Sequence, residues 1–170
     1  FMTESFLEDT EITGPIASKL FISSETEDTD LFLIARLFNE QQQEVTFQGA
    51  LDPKTPLAQG WLRASHRRID NHLSKPYRPY HTHDKVELLI PKKVYEVDIE
   101  IWPTSIVVPK GYRIGLTIKG QDYVNQSGGG STLPNMNKFS GCGPFLHDDP
   151  IDRPNAVSYT HLRAHETGWY

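Results

Sequence analysis

His81-Thr82-His83-Asp84 and His147-Asp148-Asp149 are the stretches of this 170-residue chain whose side chains could do chemistry. Imidazoles two positions apart project to one side of an extended chain, and a second cluster with carboxylates would complete an N/O shell for zinc or calcium. His81, His83, Asp84, His147, Asp148 and Asp149 are therefore the candidate metal ligands. Neither spacing follows a specific pattern such as H-E-x-x-H. A structural role competes: long Pro-rich loops carry backbone groups that need polar partners, and His and Asp serve as anchors. Anchoring is the preferred reading, so these residues assign no catalytic group, no cofactor and no metal.

The nucleophiles are equally unsupported. Cys142, between Gly141 and Gly143, is the single cysteine, which rules out an internal disulfide or a thiolate cluster. A working thiolate needs a paired base, and none is evident. There is no G-x-S-x-G, and neither Ser65-His66 nor Ser140 lies on a strand-to-helix elbow. Gly128-Gly129-Gly130-Ser131 is followed by no helical pattern, so it is not a phosphate loop. Trp61, Tyr77, Tyr80 and Trp102 are the residues that would stack on a sugar, although aromatics in a domain of this kind more often fill a core or an interface. Arg63, Arg67, Arg68 and Arg78 interleave with them, but a net charge of −5 argues against a nucleic-acid footprint.

These residues sit among short strands and frequent turns. Ile16–Ser23 reads as a strand after the Gly14-Pro15 break, and Leu31–Phe38, apolar on both faces apart from Arg36, as a central one. Asn39–Glu44 forms a hairpin loop into a short return strand from Val45, and Gly60–Arg67 offers another. Residues 70–92, with Pro76, Pro79 and Pro91, predict a long ordered loop, and residues 121–154 a second. Between these loops Tyr95, Val97, Ile99 and Ile101 alternate with charged residues, as do Tyr112, Ile114, Leu116 and Ile118 with small or polar ones. Pro109-Lys110-Gly111 reads as the turn that would pair the two runs in a hairpin. With no amphipathic helix, the pattern predicts an all-β, antiparallel sandwich, a jelly roll.

Charge is uneven. Residues 4–30 carry eight acids against Lys19 alone, and residues 54–93 carry nine Lys/Arg against Asp70, Asp84 and Glu87. This predicts solvated faces or a docking pair. No apolar run is long enough to cross a bilayer, so no membrane partner is expected. The lone cysteine demands no oxidising compartment, which leans to the cytoplasm without fixing it. At the other end Val157–Thr167, VSYTHLRAHET, reads as the translation of a transposase-type sequencing adapter. The expected domain is 1–156, with 157–170 an appended artefact that replaces the last strand and leaves the isolated fold marginal.

Several blocks together are familiar. EITGPIASKLFISSETEDTDLFLIARLF, VTFQGA, AQGWLRASHR, PYRPYHTHD, VYEVDIEIWPTSIVVPKGYRIGLTI and GPFLHDDPIDRP stand in this order between Phe6 and Pro154. They resemble the C-terminal non-catalytic domain of the cocaine-esterase/NonD and X-Pro dipeptidyl-peptidase family of serine hydrolases. The resemblance implies a galactose-binding-like jelly roll appended to an α/β-hydrolase domain that holds a Ser-Asp-His triad. Such enzymes attack an ester or amide carbonyl through an acyl-enzyme. It implies as partner a catalytic domain of the same polypeptide, with homo-oligomers also known in the family, and a role in walling the substrate entrance. No residue of this chain inherits a catalytic role, so by itself it is not expected to be an enzyme. The alternative is a stand-alone carbohydrate- or calcium-binding module.

Overall fold

The computed structural model describes residues 1–49, 54–120 and 122–123, and the backbone of 161–163. Seven strands, β1 (Thr10–Ser23), β2 (Asp30–Phe38), β3 (Glu44–Val45), β4 (Ala58–Arg63), β5 (Tyr95–Val108), β6 (Arg113–Lys119) and β7 (His161–Arg163), are joined by turns and one 3-10 turn at Ala64–His66. One sheet has the order β5-β1-β7, the other β3-β2-β4 with β6 also on β2. The chain is an antiparallel β-sandwich of jelly-roll type.

It divides into two compact units. The first takes Phe1–Pro15, Phe32–Gly60 and the described residues from Ile101 to Tyr123; the second takes Ile16–Leu31 and Trp61–Glu100, and β7. In the first, Leu37 of β2, Val108 of β5 and Ile114 of β6 are buried together, walled by Phe6, Ile12, Val45, Phe47, Leu57, Ile106 and Tyr112. Strands of both sheets contribute, which is what makes this a sandwich core. In the second, the buried apolar residues are Leu20, Ile22, Leu31, Leu62, Ala64, Leu89, Val97 and Ile99. β5 illustrates how sequence selects this. Val97, Ile99 and Ile101 turn inward at period two, then Trp102 and Pro103 are both exposed, and burial resumes one residue out of phase at Val108. Proline lacks the N–H a ladder requires and is confined to such irregular or edge positions.

The expected central strand is found: β2 is buried along most of its length and pairs with β6 from Phe32↔Lys119 to Phe38↔Arg113. Its loop to β3 also forms as expected, closed by Asn39 N–H to the Gln43 carbonyl at 3.0 Å. Arg36, the exception in that strand, spans the hairpin with two bonds to Glu44, Nε–Oε1 at 2.8 Å and Nη2–Oε2 at 2.6 Å. Glu44 holds the Arg36 proton more firmly, its bonds outweighing the cost of burial.

The expected hairpin of Tyr95–Val108 with Tyr112–Ile118 does not form. The turn is there, with Tyr112 N–H on the Pro109 carbonyl at 3.1 Å, but it carries the chain from one sheet to the other. Both edges of β6 are already taken. β2 holds one, and the N-terminal segment holds the other through Thr3 N–H to Ile114 O and Leu116 N–H to Phe1 O, each at 2.9 Å.

β7 pairs with β1 from Phe21↔Arg163 to Ser23↔His161. Apart from Asp122 and Tyr123, the second long loop, with Cys142, His147, Asp148 and Asp149, lies outside the described residues, as does the rest of the adapter-like stretch.

Candidate functional site

Three of the candidate ligands, His81, His83 and Asp84, lie in the second unit. They sit on the long loop that the prolines of 70–92 predict. That loop folds back on itself: Ile69 bridges to His81, and Thr82 N–H reaches the Arg68 carbonyl at 3.1 Å. Asp70 closes its first turn by accepting the N–H groups of His72 at 2.7 Å and Leu73 at 3.0 Å, and these bonds hold its carboxyl below the usual carboxylate range.

The two histidines do not act as an i, i+2 pair. His83 has φ of 51°, in the left-handed region, so the extended geometry that would align its ring with that of His81 is broken. His81 Nε2 lies 3.0 Å from the Asp98 carbonyl. Burial pushes the His81 imidazole below its usual range, only partly offset by that carbonyl. Its ring centroid is 6.0 Å from that of His83. His83 instead turns its Nδ1 to Nδ1 of His66, 3.3 Å away and 17 residues earlier. Asp84 is taken by the Thr82 hydroxyl and by Arg68 Nη1 at 3.2 Å, both of which lower its pKa. Among the described residues no group of three or more His, Cys, Asp or Glu gathers to hold a metal.

No spacing in the sequence marks His66 as a ligand. Only the fold-back register, which sets Arg68 opposite Thr82, brings it to His83. Its neighbour Ser65 is buried, with its N–H on Asp28 Oδ1 at 2.8 Å. Asp28 is itself buried, held by Arg63 Nε at 2.9 Å and by Thr29 N–H at 2.9 Å. Arg63 also reaches Asp30 at 3.1 Å, and Lys92 reaches Glu25 at 3.6 Å. Glu25, Asp28 and Asp30 of the acidic stretch thus pair with Arg63 and Lys92 of the basic one inside this unit.

A run outside the named strands, 85–90, lies in the same unit. Glu87 N–H bonds to Ser65 O at 2.8 Å and Leu89 N–H to Glu27 O at 2.6 Å, while Ile90 N–H finds the Tyr95 hydroxyl at 2.9 Å. Arg67 lies 4.6 Å over the Tyr95 ring and also donates to the Glu87 carbonyl. Leu89 is buried, whereas Val86, Leu88 and Ile90 are 59%, 46% and 60% exposed, with Val94 at 61%. Period two therefore puts a row of apolar side chains in water on a pinned backbone. Among the aromatics, Tyr77 and Tyr80 are exposed in this unit, while Trp102 is exposed in the first.

The class that this fold defines is the antiparallel jelly-roll sandwich, with loops carrying the polar clusters. A sequence family described as the X-Pro dipeptidyl-peptidase C-terminal non-catalytic domain matches residues 1–164, and the chain belongs to it. Two proteins that bear the name of serine esterase, from Mycobacterium bovis and Mycobacterium tuberculosis, are 30% identical over 120 residues, 66% of this chain and 17% of theirs. Two crystal structures of a CocE/NonD family hydrolase from Staphylococcus aureus superpose with a TM-score of 0.74 at 28% and 29% identity, covering 83% of this chain and 25% of those. An aminopeptidase from a marine sediment archaeon, a Thaumarchaeota archaeon, shares the fold at 18% identity and a TM-score of 0.51 over 71% of this chain and 18% of its own. The chain thus spans a sixth to a quarter of the length of these hydrolase relatives.

Proposed function

We propose that this chain is the accessory jelly roll of a serine hydrolase of the CocE/NonD and X-Pro dipeptidyl-peptidase class, docking on a catalytic domain of the same polypeptide and helping to shape the substrate entrance. The match of residues 1–164 to a family described as non-catalytic carries this reading. The row Val86, Leu88, Ile90 supports it by offering a dock, with a catalytic domain as its occupant because the relatives have room for one in the three-quarters or more of their length that this chain does not span. A pre-ordered apolar row loses little entropy on docking, so its burial translates efficiently into association. The chemistry would be acyl transfer in the other domain, with this one acting through position.

The test compares the purified chain with the intact hydrolase on an activated acyl ester. Activity in the intact protein alone is expected; turnover by the chain itself would refute the proposal. In the intact protein, Leu88→Ser combined with Ile90→Ser should lower the melting temperature and raise KM while leaving the secondary structure of the isolated chain unchanged. Unaltered stability and kinetics would move the dock elsewhere.

A further inference from the structure

We propose that His66 and His83 form a two-imidazole site for a divalent transition metal of the zinc class. The two Nδ1 atoms are 3.3 Å apart, with ring centroids 5.3 Å apart and planes tilted by 39°. Zinc binds imidazole nitrogen at about 2.0–2.1 Å in tetrahedral geometry, so two such ligands stand about 3.3–3.4 Å apart, the separation seen here. A direct N–H···N bond between the rings is the competing account. It needs one ring in its Nδ1–H tautomer and leaves no zinc bound, so the titration below separates the two accounts. The tilt also excludes a parallel stack.

The backbone at both histidines is fixed by bonds that do not depend on an ion. His66 ends the 3-10 turn at Ala64–His66, which is fixed by Ala64 N–H on Thr29 O at 2.9 Å and by Ser65 N–H on the buried Asp28. His83 is brought opposite by the Ile69–His81 bridge, and its φ of 51° turns it away from the extended path. A left-handed backbone at a residue other than glycine persists where the surroundings impose it. His81, with Nε2 on the Asp98 carbonyl, is not part of the site.

The donor set determines the ion. Two neutral nitrogens suit zinc, nickel or copper(II) and not calcium, which requires oxygen ligands. His83 is exposed and His66 half-buried, so an ion can enter from solvent. Since no third protein ligand gathers among the described residues, water completes the coordination and the ion is exchangeable.

The experiment is calorimetric titration of the full 170-residue chain, stripped with chelator, with zinc chloride. One zinc per chain is expected, with affinity reduced more than about tenfold by His66→Gln or His83→Gln, no further large loss in the double variant, and little change in His81→Gln. Zinc binding that survives both single substitutions, or falls equally with His81→Gln, would overturn the proposal, as would absence of binding. A second readout needs no variant: zinc should shield His66 and His83, and not His72, from diethyl pyrocarbonate when modified peptides are mapped by mass. Equal modification with and without zinc sinks the site.

Discussion

Asp28 is the carboxylate on which the second unit turns. Buried to 2% exposure, it accepts from Arg63, Thr29 and Ser65, and through Ser65 it sets the turn that presents His66. Asp28→Ala leaves two amides and a half-buried guanidinium without that acceptor, and should cost about 3 kcal/mol in urea unfolding. A loss under about 1 kcal/mol would show that Asp30 takes over. At the surface, Asp70 offers a pH test. Its folded pKa is depressed by the His72 and Leu73 amides, so its contribution is present above the unfolded value of about 3.9 and is lost as pH falls through the lower folded value. The amide resonances of His72 and Leu73 should therefore shift with an acid midpoint below about 3.9, and Asp70→Ala should abolish that titration. A midpoint at or above 3.9 would contradict the capping role.

At the scale of elements, the strands were legible and their partners were not. Alternation marks β5 and β6 because a half-buried strand must present every second residue to the core. It says nothing about which edge a strand meets, and the N-terminal segment occupies the edge of β6 that a hairpin would have used. Val108 and Ile114 consequently share one core across the turn, in contact with Leu37. Val108→Ala removes two methyls from a fully buried site and should cost about 1–3 kcal/mol, read as a lower denaturant midpoint with unchanged slope. Gly111, at φ 85°, makes the corner, and an added Cβ would lie 2.5 Å from Glu40 Oε1. Gly111→Ala should cost about 1–2 kcal/mol, most of it backbone strain, because the exposed Glu40 side chain can move aside. Full stability in that variant would show that the corner relaxes.

For the molecule as a whole, the proposed bounds 1–156 predict that removing 157–170 leaves the melting temperature unchanged; a drop of several degrees would make β7 on β1 part of the native sheet. The fold class and family could be read from sequence alone, since alternating burial is a local property and the matching blocks are contiguous runs of residues. The Asp70 loop was equally readable, because proline fixes backbone angles wherever it stands. Which histidines meet was decided only in three dimensions. His81 and His83 are neighbours in sequence, yet a left-handed backbone at His83 and the pairing of Ile69 with His81 join His83 to His66 instead. Side-chain contact between distant residues depends on strand register and loop closure, which are set by the summed packing of both sheets rather than by any short stretch of the chain.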